Sequence, residues 1–163
     1  MKHNLRRKDR QMNHQSALDL LQRAEYGVLS SVDEEGQPYG VPVNFVFDGR
    51  KTIYFHCAKE GHKLDNLKFN PKVSFTVVGD VQVMNWKFTT AYESVIVFGV
   101  ASEVKAEEKF QALKSLARTF SADTMDEFYK EIEQAIEQTA VVKIKIEHLS
   151  GKSRPFEPQP LSS

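Results

Sequence analysis

Short segments of alternating apolar residues follow one another through the first half of the chain, and turn-forming residues separate them. The segment 26–32 is followed by Asp-Glu-Glu-Gly, and the segment 37–47 is followed by Asp-Gly. Alternation with a period of two is typical of half-buried strands, and glycine after acidic residues is typical of hairpin turns. Strands so close together in the sequence pair as antiparallel neighbours. The pattern therefore predicts a small antiparallel barrel of about six strands.

The rest of the chain supplies further strands and the helices that flank them. Besides a strand at 52–57 and the short helix after it, we predict helices at 16–25, 106–120 and 124–138 and strands at 72–78, 92–104 and 140–146. Ser16 is expected to cap the first helix, and Ser150-Gly151-Lys152 is expected to form a turn. The whole chain, 1–163, reads as a single domain, with a basic arm at 1–12 and a flexible tail at 153–163.

Residues 52–71 are predicted to form a strand, a polar loop and a short helix that Asn70-Pro71 ends. Lys59, His62 and Lys63 surround Gly61 at the start of this helix. A helix start offers free N–H donors and the positive end of the dipole, so cations there are unfavourable unless an anion is bound. We interpret the loop as a candidate phosphate site. The alternative is an ordinary helix start with exposed cations.

Two residues of the preceding strand are also candidates. His56 is expected on the opposite strand face from Phe55 and Cys57, close to the phosphate loop, and a histidine titrates near neutral pH. It is either a proton donor or a structural histidine. Cys57 alternates with Ile53 and Phe55, which indicates a small core residue rather than a reactive thiol.

Composition and missing motifs exclude several classes of protein. Lys plus Arg equals Asp plus Glu at 22 each, which argues against a nucleic-acid-binding protein. No apolar run has the roughly 20 residues of a membrane helix, and the basic N-terminus does not resemble a secretory signal. A single cysteine fits a reducing cytoplasm. The spacing of His and Cys predicts no metal site, and there is neither a P-loop nor a nucleophile elbow.

Several short motifs together are similar to those of a known family. They lie at 6–10, 40–45, 54–65, 70–73, 92–99 and 149–152. With these motifs, which extend over nearly the whole chain, the protein resembles the 5-nitroimidazole resistance (Nim) family. That family belongs to the flavin-binding split β-barrels, and the pyridoxamine 5'-phosphate oxidases are its relatives. The resemblance implies a mainly β (α+β) fold, a six-stranded antiparallel split β-barrel with flanking helices.

The resemblance also implies a homodimer that binds FMN, with FAD as the alternative flavin, in clefts at the subunit interface. Ala58 to Lys63 match the family's phosphate-binding segment, Val41 to Asn44 its flavin-ring strand, and His56 its site histidine. Pro42 removes one N–H donor from its strand, which predicts an edge strand or a bulge there. The cofactor-binding residues that the resemblance implies are Pro42, Val43, Asn44, His56, Cys57, Ala58, Lys59, His62 and Lys63. His62 stands where relatives often have arginine, which weakens its share of the phosphate contact.

The implied function is an FMN-binding oxidoreductase that passes electrons to a nitro group or another small acceptor, with His56 as the catalytic residue. Three alternatives stay open. The protein is a non-catalytic flavin or haem-related binding module or sensor, a pyridoxamine-phosphate-oxidase-type enzyme, or a purely structural dimer. The oxidase is disfavoured because Arg50, in a turn, is the only arginine within residues 37–63.

Overall fold

The computed structural model of the protein describes residues 5–120 and 136–160. Within these ranges the helices are α1 (His14–Arg23), α2 (His62–Phe69) and α3 (Ala106–Phe120). The strands are β1 (Tyr26–Val32), β2 (Pro38–Asn44), β3 (Val46–Phe47), β4 (Thr52–Ala58), β5 (Lys72–Met84), β6 (Thr89–Glu103) and β7 (Thr139–Arg154). Short 3-10 helices cover Lys8–Arg10 and Asn85–Lys87. Most of the predicted helix at 124–138 lies outside the described residues.

The strands form one antiparallel sheet of seven strands in the order β2-β1-β5-β6-β7-β4-β3. Only Phe45 separates β2 at one edge of the sheet from β3 at the other. The sheet must therefore curl until its two edges approach each other, although no strand pairing among the described residues closes it. A mainly β antiparallel fold with flanking helices is confirmed, but the predicted count of six strands is wrong. The seventh strand arises because the predicted strand 37–47 divides at Phe45, which is buried.

Three local predictions need correction. Asn13, not Ser16, caps α1, because the Asn13 side chain accepts a hydrogen bond from the Ser16 backbone N–H over 2.8 Å. The strands predicted at 72–78 and 92–104 are too short, because β5 and β6 continue into residues 79–91 beyond a bulge and form a long hairpin. The turn predicted at 150–152 is strand, since Gly151 pairs with Val95 of β6.

Gly151 shows why a turn-like residue lies within a strand. A Cβ atom at this position would lie 3.0 Å from the Ala17 Cβ and 3.0 Å from the Met12 sulfur. The glycine therefore lets α1 and the chain before it pack closely on β7. β7 ends at Arg154, so it includes the first two residues of the predicted tail.

The sheet separates two apolar cores. The larger lies inside the curl and contains Phe45, Phe75, Ile53 and Phe55, all buried, with α1 packed against it. The smaller lies between α3 and the outer side of β4 and β7, where Val141 is buried. Within the described residues, no helix has the length and apolarity to cross a bilayer.

Candidate functional site

The loop between β4 and α2 has the predicted strand, loop and helix structure. β4 ends at Ala58, which is exposed, and α2 begins at His62. Gly61 has φ 128° and ψ 164°, a conformation that favours glycine, and its carbonyl accepts hydrogen bonds from the N–H groups of Leu64 and Asp65. An added Cβ at Gly61 would meet no atom within 4 Å, so the glycine is required by its backbone conformation rather than by space.

The cations at this helix start have no carboxylate partner among the described residues. Lys59 and His62 are exposed, Lys63 is half-buried, and none of the three makes a hydrogen bond or ion pair there. The acidic residue of the first turn, Asp65, is paired with Lys68 over 2.9 Å. The first-turn N–H groups of His62 and Lys63 also lack a backbone acceptor in the described chain. The loop therefore presents unpaired positive charge and free donors, as an anion site requires.

Tyr39 of β2 joins the edge strand to this loop. Its ring lies 4.1 Å from the His62 ring, measured between centroids, at an interplanar angle of 34°. The sequence pattern indicates that Tyr39 lies on the same strand face as Val41 and Val43. It does not indicate the contact with His62, which forms across the curl of the sheet.

Among the described strands β2 pairs only with β1, which agrees with the prediction that Pro42 lies on an edge strand. Pairing continues without a shift from Pro38 to Asn44, so the strand carries no bulge at Pro42. Pro42 and Asn44 are exposed, whereas Val43 packs against the main core. The open side of β2 therefore offers backbone groups along an exposed edge, next to Tyr39.

His56 and Cys57 point to opposite faces of β4, as expected from alternation. His56 is exposed and makes no hydrogen bond with a described residue. Cys57 packs against the main core, and burial raises the pKa of its thiol, although the positive charge of Lys63 partly opposes this shift. A raised thiol pKa favours the protonated form, which agrees with the interpretation of Cys57 as a core residue rather than a reactive thiol.

The helix α2 is held to the sheet by two leucines and one polar contact. Leu64 is buried and Leu67 packs against the main core. The side chain of Asn66 is also buried and hydrogen-bonded to Ser31 of β1, which the sequence did not indicate. Among the described residues, no cluster of three or more His, Cys, Asp and Glu side chains is arranged to hold a metal ion.

Together these features define a curled antiparallel sheet in which exposed cations and free N–H donors lie where an edge strand meets a helix start. Residues 13–153 match the sequence model of the pyridoxamine 5'-phosphate oxidase family, and the chain belongs to that family. Family membership alone does not fix the substrate, since one fold supports many activities. The comparison with curated protein sequences finds no match.

Solved structures with this fold come from several bacteria. A candidate 5-nitroimidazole antibiotic resistance protein of Bacteroides thetaiotaomicron is 25% identical, with a TM-score of 0.75 over 87% of this chain and 85% of that one. A conserved hypothetical protein of Mycobacterium tuberculosis is 20% identical, with a TM-score of 0.79 over 98% and 99%. An FAD- and haem-binding protein of Mycobacterium smegmatis is 18% identical, with a TM-score of 0.79 over 93% and 76%.

Proposed function

We propose that the protein is a flavin-dependent oxidoreductase that binds FMN and passes electrons to a nitro group or another small acceptor. Membership of the pyridoxamine 5'-phosphate oxidase family supports a flavin, and the similarity to the Bacteroides protein supports a nitro compound as acceptor. FAD carries the same ring and a phosphate at the same position, and the Mycobacterium smegmatis neighbour binds FAD and haem. FMN is therefore the cofactor to test first and FAD the second.

The contact between Tyr39 and His62 carries this proposal, because it brings the edge strand β2 beside the cationic loop. Flavin mononucleotide needs an anion site for its phosphate and, within one molecule's length, hydrogen-bonding groups for its ring. The unpaired Lys59 and Lys63 side chains and the free N–H groups at the start of α2 suit the phosphate. The exposed edge of β2 at Pro42 and Asn44 suits the polar edge of the ring.

A bound flavin supplies the capacity to accept and release electrons, and the protein supplies positioning and protons. Lys59, Lys63 and the loop N–H groups hold the phosphate. His56, exposed at the end of β4 and free of hydrogen bonds to described residues, is the proton donor to the reduced acceptor. The side chains of Cys57 and Val43 pack against the main core. They support the flavin site from the side of the core and take no part in the reaction.

We also propose a homodimer with the flavin at the subunit interface. The proposed flavin site is an open surface, since Pro42, Asn44 and His56 are exposed. Apolar side chains are exposed on β6, where Ile96 is 39% and Phe98 50% accessible. A second copy that covers such a patch would remove these side chains from water. Sedimentation equilibrium of the protein and of Phe98→Glu tests this: we expect a dimer for the protein and a monomer for the variant. Unchanged flavin binding in the monomeric variant would place the flavin outside the interface.

The absorption spectrum of the purified protein, followed by calorimetric titration with FMN, tests the proposed function. We expect a flavin spectrum or saturable FMN binding, and anaerobic re-oxidation of the reduced protein by a nitroimidazole. A colourless protein without FMN or FAD binding contradicts the whole proposal. A flavin-loaded protein that reduces no nitro compound contradicts the enzyme and favours a binding module. Oxidation of pyridoxamine 5'-phosphate in a parallel assay would instead identify an oxidase.

A further inference from the structure

Apart from the proposed flavin site, a cavity lies at a gap in the sheet along β7. β4 pairs with β7 only as far as Lys145, and the Ile146 N–H donates to the Lys51 carbonyl just beyond. The N-terminal arm pairs with the same side of β7 at Lys152, through Gln11. Between these points no described strand covers that side of β7, and a cavity of about 290 Å³ occupies the gap.

The backbone of β7 contributes a donor to this cavity. The Gly151 carbonyl accepts from the Met12 N–H over 3.0 Å, so the polar groups of Gly151 point toward the arm. In an antiparallel strand the residue two positions away points its backbone groups to the same side. The N–H of Leu149 therefore faces the gap, and Leu149 lines the cavity.

The charged and titratable side chains that line the cavity are Lys8, His14 and His148, and each comes from a different element. Lys8 belongs to the 3-10 helix of the arm, His14 is the first residue of α1, and His148 lies on β7. No carboxylate is among the described residues that line it, and none of these three side chains makes an ion pair with a described residue. The His148 ring is fixed by stacking on Phe98, at 6.4 Å between centroids and an interplanar angle of 12°.

This cavity is distinct from the proposed flavin site. His56 at the flavin site pairs with Val141, whereas the cavity is lined by residues 148–151 of the same strand. Seven residues of β7 separate Val141 from His148, a path of at most about 23 Å at roughly 3.3 Å per residue, which a bulge between Ile146 and His148 shortens somewhat. One bound flavin phosphate cannot account for both cationic regions.

We propose that this cavity binds the phosphate group of a small phosphate ester. Two histidines and a lysine, without a competing carboxylate among the described lining residues, match a phosphate in charge and hydrogen-bonding capacity. The volume lies at the lower end of small-molecule sites, which start at about 300 Å³, so the ester carries only a small organic group. The basic arm thereby has a role beyond that of a solvated tail, since Lys8 forms one wall of the site.

The test uses the full-length protein and the histidine ring resonances of its NMR spectrum at pH 6.5. Inorganic phosphate and ribose 5-phosphate are titrated separately, at ionic strength held constant with sodium chloride. We expect the His14 and His148 resonances to shift saturably and with one common affinity. Ribose 5-phosphate should bind more tightly than phosphate if the organic group is also contacted. The absence of a saturable shift with either ligand overturns the proposal.

Four variants localise the effect. Lys8→Met should weaken ribose 5-phosphate binding roughly tenfold, as expected for loss of a charge-assisted contact, and Lys72→Met, at an exposed lysine on β5, should not. His148→Gln is expected to weaken binding while the His14 resonance still reports it. Lys63→Ala alters the flavin site and should leave the His14 and His148 shifts unchanged. Equal affinity in Lys8→Met and the unaltered protein, or loss of the shifts in Lys63→Ala, contradicts this site.

Discussion

The Asn66 side-chain amide of α2 donates a hydrogen bond to the Ser31 hydroxyl of β1 over 3.0 Å, and both residues are buried. This contact ties the helix of the proposed phosphate site to the strand next to β2. Because both groups are removed from water, each needs the other as its partner. The hydrogen bond therefore helps to fix the position of α2 relative to the β2 edge.

Asn66→Ala should lower the free energy of unfolding by about 1–3 kcal/mol, because it leaves the buried Ser31 hydroxyl unsatisfied. Urea unfolding of Asn66→Ala, Ser31→Ala and the double variant forms a thermodynamic cycle. We expect the two single effects to sum to more than the effect of the double variant. Strict additivity would show that the two groups do not interact in solution.

Lys63→Ala should weaken FMN binding by about 1.5–3 kcal/mol, which is roughly tenfold to 150-fold, because a charge-assisted phosphate contact is lost. Calorimetric titration measures the effect. Lys72→Ala, at an exposed lysine outside the loop, serves as the matched control and should bind FMN like the unaltered protein. Unchanged FMN affinity in Lys63→Ala would remove this lysine from the proposed site.

His56→Ala should slow reduction of the acceptor about a hundredfold or more if His56 is the proton donor. Because the side chain is exposed and unpaired among described residues, FMN affinity should change by less than about 0.5 kcal/mol. His62→Ala is expected to do the reverse, with weaker FMN binding and little effect on the saturated rate. Stopped-flow kinetics at saturating FMN separates the two effects, and equal loss of FMN binding in both variants would make His56 a binding residue.

The stability of the protein is expected to depend on pH through the carboxyl group of Asp48, in the turn before β4. Burial raises the pKa of its carboxyl, but hydrogen bonds from the backbone N–H groups of Thr52, Arg50 and Lys51 outweigh this and lower it. A lowered native pKa means that the stabilisation is present above the ordinary value of 3.8 and is lost as the pH falls through the native pKa.

Asp48→Asn should therefore be less stable than the unaltered protein at pH 7, and this difference should shrink below about pH 4. Urea unfolding at a series of pH values measures it. Glu34→Gln, an exposed residue in the β1–β2 turn, is the control and should show a smaller dependence. A difference between Asp48→Asn and the unaltered protein that is constant with pH would show that charge is not involved.

The local sequence was sufficient to predict the elements whose side chains follow a clear period. β1 and α3 have the predicted bounds, 26–32 and 106–120, because their apolar residues alternate or recur at helical spacing. The extensions of β5, β6 and β7 could not be predicted in this way. Val81 and Val83 are exposed, so burial does not mark them as strand residues. Gly151 lies where α1 approaches β7, and glycine is not typical of strands. These residues belong to strands because their segments pair with a neighbouring strand.

The strand, cationic loop and helix at 52–71 follow from the sequence alone, because alternation, a glycine and Asn70-Pro71 are local signals. The residues that lie beside that loop depend instead on the tertiary fold. Curling of the sheet brings Tyr39 onto His62, and burial pairs Asn66 with Ser31. Contacts between residues 20 to 40 positions apart depend on strand order and curvature, which arise from packing of the whole sheet and not from any local pattern.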